Sequence, residues 1–342
     1  MKCHFFNDYS EGAHPRILEA LQRCNDSQET GYGEDSFSLQ AALILKSKMG
    51  TADVDVHFLS AGTQANFIAM AAMLRPYESV IAADSGHIAV HEAGAVESTG
   101  HKINTIAVAQ GKLTPKDIQG VVDSHTDEHM VKPRVVFISQ ATEVGTIYAK
   151  AELEVISNVC KKNDLYLYVD GARLGSALMS ERSDVTISDI AQFADMFYIG
   201  GTKNGALLGE AMVIVNPVLK KDFRYFLKQR GALLAKGRVL GVQFVELFID
   251  DLYFDLAKHA NAMAKKLSDG IVALGHSFLA DSSTNQIFPI LPNALIEKMK
   301  VDYGFYVWGK IDADHSSIRL VASWATKESA VDEFLTDLRT RS

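Results

Sequence analysis

The sequence predicts an α/β protein with a large domain built on a mostly parallel central sheet and a smaller C-terminal α/β domain. Between residues 54 and 215, short apolar runs alternate with helix-like stretches, a pattern typical of a parallel sheet covered by helices. After Pro217 the pattern changes, because residues 218–272 read as long helical segments and residues 274–342 as strands followed by a helix. A length of 342 residues agrees with about two domains.

The large domain is predicted from seven short runs, most of them rich in β-branched or aromatic residues, which favour buried strands. These runs span residues 54–59, 79–83, 103–108, 134–138, 165–169, 196–199 and 211–215. The helices predicted between them span residues 64–74, 87–97, 114–124 and 150–162.

The C-terminal part is predicted to hold strands at 277–280, 286–290, 305–308 and 317–321, and a helix at 329–340. We therefore expect an N-terminal segment at 1–15, a large domain at 16–235 and a small domain at 236–342.

Composition excludes several classes of function. The net charge of −8 gives no basic surface for nucleic acid or for an anionic membrane. The longest apolar runs are far shorter than the roughly 20 residues of a membrane-spanning helix, and the first residues lack the apolar core of a secretory signal. Three cysteines without a CxxC motif argue against a disulfide scaffold and favour a reducing cytoplasm.

The first candidate site is the segment Ser60-Ala61-Gly62-Thr63-Gln64-Ala65-Asn66, where a predicted strand ends and a helix begins. Free N–H groups and the helix dipole make such a terminus suitable for an anion, with phosphate as the natural ligand. A plain N-cap turn stays open as the alternative. The segment has neither GxGxxG nor the lysine of a P-loop.

Two further candidates also follow predicted strands. Asp170 ends the strand 165–169 and is followed closely by Arg173; the alternative is an N-cap aspartate beside a surface arginine. Lys203 lies in a glycine-rich loop after the strand 196–199. A lysine that is partly desolvated there loses basicity and becomes a nucleophile for a carbonyl, whereas the alternative is an exposed loop lysine.

Together these candidates favour pyridoxal 5′-phosphate (PLP) as the cofactor. PLP requires an anion cup for its phosphate, a lysine that captures its aldehyde and a carboxylate that keeps its ring nitrogen protonated. A flat group on the ring face completes the set, and His87 can supply it. The order along the chain is phosphate turn, His87, Asp170 and Lys203, each near the end of a predicted strand.

The chain resembles the threonine aldolase branch of the β-eliminating lyase family, which are fold-type-I PLP enzymes of the aspartate aminotransferase type. Five segments carry the resemblance over nearly the whole length. They are Tyr32-Gly33-Glu34-Asp35, the turn at 60–66, Gly86-His87-Ile88 with Glu92-Ala93-Gly94, Asp170-Gly171-Ala172-Arg173, and Gly201-Thr202-Lys203-Asn204-Gly205.

The resemblance implies roles for individual residues. Lys203 would bind the aldehyde covalently, Asp170 would pair with the ring nitrogen, and His87 would stack on the ring. The residues expected to bind the cofactor are Gly62, Thr63, His87, Asp170, Arg173, Thr202, Lys203 and Lys236. Those expected to bind the substrate are Asn7, Arg173 and Arg319, and His129 is expected near the β-hydroxyl group.

Departures from the family pattern lie mainly on the substrate side. Asn7 stands where relatives often have serine, His91 replaces an aromatic residue, and Gln140-Ala141-Thr142 replaces Glu-Asn-Thr. Lys236 occupies the approximate place of an arginine that reaches the phosphate from a neighbouring subunit.

The resemblance implies cleavage of the Cα–Cβ bond of β-hydroxy-α-amino acids, with threonine giving glycine and acetaldehyde. The base stays open among His87, His91, His129 and an ordered water. Alternatives are a PLP-dependent β-elimination or transamination, a metal-dependent hydrolase using His87, His91 and Glu92, and a silent binding protein. Relatives assemble as dimers or tetramers with shared sites, so we expect a homo-oligomer acting on a small amino acid and no metal.

Overall fold

The computed structural model describes residues 2–341. Its strands are β1 Cys3–His4, β2 Asp55–Leu59, β3 Glu78–Ala83, β4 Lys102–Ile106, β5 Lys132–Ser139, β6 Tyr166–Asp170, β7 Met196–Gly200, β8 Glu210–Ile214, β9 Gln286–Ile287, β10 Ile290–Pro292, β11 Tyr303–Gly304, β12 Tyr306–Lys310 and β13 His315–Val321. Its α-helices are α1 Pro15–Arg23, α2 Ser36–Met49, α3 Gly62–Met73, α4 His87–Val90, α5 Pro115–Ser124, α6 Lys150–Lys162, α7 Leu174–Leu178, α8 Ile187–Phe193, α9 Pro217–Lys220, α10 Phe223–Gln229, α11 Arg238–Ile249, α12 Leu252–Ala273, α13 Asn293–Lys300 and α14 Glu328–Arg341.

The central sheet has seven strands in the order β2-β8-β7-β6-β5-β3-β4. The pairs from β7 to β4 are parallel, and β8 is antiparallel to both of its neighbours, β7 and β2. Strands β3, β7 and β8 are buried along their whole length, as expected where helices cover both faces of a sheet. The predicted α/β class with a mostly parallel sheet is confirmed, and each predicted run of the large domain overlaps one of these strands.

The sheet separates two apolar cores. One core lies between the sheet and helices that include α2, α6, α8 and α11, and the other lies between the opposite face and α3. Helix α11 packs on α1 and α2, and its Phe244 and Phe248 are fully buried in the first core. The predicted boundary at residue 236 stays a prediction, with α11 lying against helices from the N-terminal side of it.

A smaller sheet follows in the order β10-β13-β12, with β9 also paired to β13. Its core is closed by α12, α13 and α14. The predicted strand at 277–280 is absent among the described residues, where only an isolated bridge joins Phe278 to Pro289. Helix α13 was not predicted from the sequence, and neither were α1 and α2.

The helix predicted at 87–97 is much shorter in the structure. It ends at Val90, and Ala93 and Gly94 follow with φ angles of 51° and 74°. This left-handed backbone cannot continue a right-handed helix. The interruption turns the chain so that Glu92 points inward, where it is buried.

Candidate active site

The candidate site lies at the carboxyl ends of β2, β6 and β7. A cavity of about 300 Å³ opens there, as expected for ligands of open α/β sheets. It is lined by Tyr9, Ser60, Ala61, Gly62, Thr63, His87, Ser139, Ala141, Glu143, Asp170, Ala172, Arg173, Tyr198, Thr202, Lys203 and Glu210. The phosphate turn, the carboxylate and the lysine singled out from the sequence therefore meet in one cavity.

The first turn of α3 forms one end of this cavity. The helix has 12 residues and begins at Gly62, and its N-cap residue Ala61 offers no side-chain hydrogen bond to the first turn. The leading N–H groups of the helix are therefore not capped by a side chain. A Cβ atom on Gly62 would lie 3.1 Å from the hydroxyl oxygen of Tyr198, so a side chain there would crowd this wall of the cavity.

Asp170 ends β6 and is held by three donors. Its Oδ1 accepts a bond from the Tyr198 hydroxyl at 2.6 Å and from the Ala172 N–H at 2.9 Å. Its Oδ2 accepts a bond from the Asn66 amide at 3.0 Å. Hydrogen bonds of this kind fix the position and the plane of the carboxyl group.

His87 is connected to Asp170 through two intervening side chains. Its Nδ1 lies 2.7 Å from Oε1 of Glu92. The same Glu92 oxygen accepts a bond from the Asn66 amide at 2.7 Å, and Asn66 also accepts a bond from the Tyr168 hydroxyl. This buried network orients the imidazole at the start of α4.

Lys203 follows β7 in a loop that reaches the same cavity. Among the described residues, its amine has no hydrogen-bond partner. Burial lowers the pKa of Lys203, and the nearby Arg173 guanidinium lowers it further, against the opposing effect of Asp8, Asp170 and Glu210. A desolvated amine with lowered basicity suits nucleophilic attack on a carbonyl.

Arg173 is buried in an ion pair with Asp8. Its Nε and Nη2 donate to the two carboxylate oxygens of Asp8 at 2.7 and 3.0 Å, and Asn285 donates to Asp8 at 2.8 Å. Burial opposes the charge on Asp8, but Arg173 and Lys203 outweigh burial and lower the pKa of this carboxyl. The Nε and Nη2 edge of the Arg173 guanidinium is therefore occupied by Asp8.

A second cavity, of about 480 Å³, adjoins the first and shares Tyr9, His87, Glu143, Arg173 and Lys203 with it. We call it the outer cavity; its remaining lining residues are His91, Gln286, Tyr306, Val307, Trp308 and Arg319.

Arg319 lies on β13 of the smaller sheet and lines the outer cavity with its guanidinium group. Its Nη2 donates to the Phe6 carbonyl at 3.2 Å, whereas its buried Nε has no partner among the described residues. The guanidinium carbon lies 5.2 Å from the ring centre of Tyr306 and 5.1 Å from that of Trp308. A guanidinium held flat with a free donor suits a carboxylate ligand.

Three predicted site residues lie outside both cavities of this single chain. Asn7 accepts bonds from the Tyr9 N–H and the Ser10 hydroxyl, and its neighbours Asp8 and Tyr9 approach the site instead. His129 and Lys236 are exposed. Their roles stay predictions.

Two carboxyl groups of the cavity were not singled out from the sequence. Glu143 accepts bonds from the Ser139 hydroxyl at 2.6 Å and the His87 N–H at 2.9 Å, and burial raises its pKa. Glu210 accepts a bond from the Thr202 hydroxyl at 2.8 Å. The sequence does contain one feature that could have identified Glu210, namely a charged residue directly before the apolar run 211–215.

The His87, His91 and Glu92 group does not form a metal site. Nδ1 of His87 is bonded to Glu92, so these two groups contact each other rather than face a common ion. Within residues 2–341, no set of three or more His, Cys, Asp or Glu side chains is arranged to hold a metal ion. Nor does that part of the chain contain a helix long and apolar enough to cross a bilayer.

Residues 12–293 match the family described as beta-eliminating lyase. The chain is 34% identical over 339 residues to a low-specificity L-threonine aldolase of Pseudomonas aeruginosa, covering 98% of this chain and 96% of that protein. A Pseudomonas sp. protein of the same description is 35% identical over 341 residues, with the same coverage.

Solved structures show the same similarity. A threonine aldolase of Leishmania major has a TM-score of 0.98 and 47% identity, covering 99% of both chains. An aspartate aminotransferase of Thermus thermophilus has a TM-score of 0.73 at 15% identity, covering 99% of this chain and 91% of the other. The second match concerns the fold alone.

Proposed function

The chain belongs to the β-eliminating lyase family, and from this membership we propose that it is a PLP-dependent carbon–carbon lyase of the threonine aldolase type. Its substrates would be β-hydroxy-α-amino acids such as threonine and allo-threonine, cleaved between Cα and Cβ to glycine and an aldehyde. The observation that carries the proposal is the meeting of Lys203, Asp170 and the first turn of α3 in one cavity.

The residues present fit PLP. The first turn of α3 lacks a side-chain cap, which suits the phosphate, and the buried Lys203 amine without a partner suits the aldehyde. The Asp170 carboxylate, fixed by Tyr198, Asn66 and Ala172, suits the ring nitrogen. When bound, PLP supplies an electrophilic carbonyl for an amine and a protonated ring that accepts an electron pair.

The outer cavity is the proposed substrate compartment. Arg319 would bind the substrate carboxylate through the part of its guanidinium that is not bonded to Phe6, and Arg173 through the part that Asp8 leaves free. His87 and His91 are the imidazoles that line this compartment. Because Glu92 occupies Nδ1 of His87, Nε2 is the nitrogen left to accept the proton of the β-hydroxyl group.

We propose that the chain assembles as a homodimer or homotetramer with shared sites. Lys236 directly precedes Gly237, which packs closely on Gly33 of the Tyr32–Asp35 segment, away from both cavities of its own chain. The neighbouring side chains Tyr32, Leu39, Leu43 and Tyr225 are exposed apolar groups. Such a surface suits a second copy, to whose phosphate site Lys236 would then contribute. Three unpaired cysteines support the proposal of a cytoplasmic location.

The decisive experiment is a product assay on the PLP-loaded protein. Threonine, allo-threonine and phenylserine are supplied in turn, and glycine and aldehyde are measured, with serine as a control for β-elimination. We expect glycine and aldehyde in equal amounts. Release of ammonia and a keto acid without glycine would reject aldol cleavage in favour of elimination.

A further inference from the structure

Glu210 is a buried acid that the proposed chemistry does not use. It is the first residue of β8, where it pairs with Leu59 on one side and Gly200 on the other. Leu59 directly precedes the Ser60–Thr63 turn, and Gly200 directly precedes the loop that carries Lys203. Glu210 therefore lies between the phosphate turn and the lysine loop, and it lines the cavity that contains both.

The carboxyl group of Glu210 is tied to the lysine loop. Its Oε1 accepts the Thr202 hydroxyl at 2.8 Å, and its Oε2 accepts the Gly201 N–H at 3.2 Å. Thr202 in turn accepts the Gly209 N–H at 3.0 Å, so both ends of the loop converge on this group. Thr202 was expected to bind phosphate, but its hydroxyl is engaged here by Glu210.

The surroundings favour the neutral form of Glu210. Only 4% of the residue is exposed, and among the described residues it has no ion pair within contact distance. Burial raises the pKa of Glu210 to about 8, with a further increase from Asp170, against the opposing effects of Thr202, Lys203 and Gly201. The titratable groups that face it are Lys203 from the loop, Asp170 and Tyr168 from β6, Tyr198 from β7 and Tyr253 from α12.

Asp170 lines the same cavity as Glu210 but accepts more hydrogen bonds. It has three donors, among them a tyrosine hydroxyl and a side-chain amide, whereas Glu210 has two and the longer of them is 3.2 Å. A negative charge on a nearby carboxyl group disfavours ionisation of Glu210, which has the fewer donors to stabilise a charge of its own.

We propose that Glu210 is a neutral carboxylic acid at neutral pH and forms part of the wall of the phosphate subsite, so that its ionisation in alkaline solution weakens the binding of the phosphorylated cofactor. The inference rests on the proposed function, because it takes the first turn of α3 as the phosphate site. A neutral acid beside that turn offers an O–H donor, whereas a carboxylate adds a negative charge next to a dianion.

The test uses pyridoxine 5′-phosphate, which carries an alcohol in place of the aldehyde and so cannot react with Lys203. Its dissociation constant is measured by calorimetry on cofactor-depleted wild-type protein, Glu210→Gln and Glu97→Gln between about pH 7 and pH 9. Glu97→Gln is the matched control, since it makes the same exchange at an exposed carboxyl outside both cavities.

We expect wild type and Glu97→Gln to lose at least about tenfold in affinity over this range, and Glu210→Gln to lose markedly less. Deprotonation of Lys203 contributes to the loss of affinity in all three proteins. The difference in that loss between the proteins therefore measures the effect of Glu210. An equal loss in Glu210→Gln would overturn the inference. So would failure of a folded Glu210→Gln protein to bind the probe near neutral pH, because glutamine copies a neutral acid.

A second measurement does not depend on the probe. Infrared difference spectra of the wild-type protein should show the carbonyl stretch of a protonated carboxyl near neutral pH that disappears on alkaline titration and is missing in Glu210→Gln. Absence of that band in wild type would also reject the inference. If the probe failed to bind wild type at any pH while the band was present, the proposed cofactor site would be wrong and the protonation of Glu210 correct.

Discussion

Nδ1 of His87 lies 2.7 Å from Oε1 of Glu92, whose side chain is completely inaccessible to solvent. The second oxygen of Glu92 is buried without a partner among the described residues, so this carboxyl depends on His87 and Asn66 for its hydrogen bonds. An imidazole with one nitrogen held in this way keeps a fixed tautomer and a fixed plane. The pair therefore determines how His87 faces the cavity.

Glu92→Gln should lower kcat by about tenfold to a hundredfold, because a hydrogen bond to a charged group contributes about 1.5–3 kcal/mol. The amide can present a donor to Nδ1 and so select the wrong tautomer. Steady-state kinetics at several pH values measure the effect, with the exposed Glu97→Gln as the control in the same segment. Unchanged kinetics in a folded Glu92→Gln protein would show that the pair does not orient His87.

Lys203→Ala should abolish the visible absorbance of the PLP-loaded protein and reduce aldol cleavage by at least about a thousandfold, since it removes the nucleophilic amine. The exposed Lys221→Ala is the control for loss of a surface amine. Absorption spectra and glycine release are measured on both proteins. A Lys203→Ala protein that keeps its colour and its turnover would refute the assignment of this lysine.

Asp170→Asn should reduce turnover by at least about a hundredfold with little loss of stability, because a neutral amide cannot keep a ring nitrogen protonated. Tyr198→Phe removes one of the three donors to Asp170 and should have a smaller effect in the same direction. Turnover and thermal unfolding are measured for both. Near-normal turnover in Asp170→Asn would mean that the carboxylate has no part in the reaction.

Arg319→Lys should raise KM for threonine by about tenfold while kcat changes less, because an ammonium group cannot make the paired bonds of a guanidinium. The exposed Arg182→Lys, at an arginine paired with Asp281, controls for the general effect of the exchange. A drop in kcat at constant KM would instead place Arg319 in the chemical step.

Asp8→Asn should destabilise the fold by about 3–5 kcal/mol, because it leaves the buried Arg173 without its counter-charge. The pKa of Asp8 is lowered in the folded protein, so its stabilising contribution is complete above the ordinary aspartate value and is lost as pH falls through the lower, folded value. Urea unfolding at neutral and acidic pH measures this. We expect the difference between wild type and variant to shrink in acid, and a constant difference would contradict the linkage.

The central sheet could be predicted from sequence because most residues of its five inner strands are buried, so that these strands read as apolar runs. The helix predicted at 87–97 was wrong beyond Val90, because Ala93 and Gly94 take left-handed backbone angles. The hydrophobic periodicity of a sequence does not indicate such angles. The short strands of the smaller sheet, such as Gln286–Ile287, depend on pairing partners rather than on local pattern.

The site was predictable where a residue follows a strand. Asp170 and Lys203 follow this rule, and both reach the cavity. The hydrogen bonds that support them were not predictable, because they join residues far apart in the chain: Asn66 and Asp170 are separated by 104 positions. Glu143 and Glu210 gain their significance only from burial, which a single sequence does not report.

Residues 3–8 bind parts of the chain that are far away in the sequence. Strand β1 pairs with β11, Phe6 accepts a bond from Arg319, and Asp8 binds both Arg173 and Asn285. Residues 3–6 therefore gain these partners only after residues 303–319 have been synthesised. The outer cavity, which Arg319 lines, is consequently completed only after every strand of the central sheet has been synthesised.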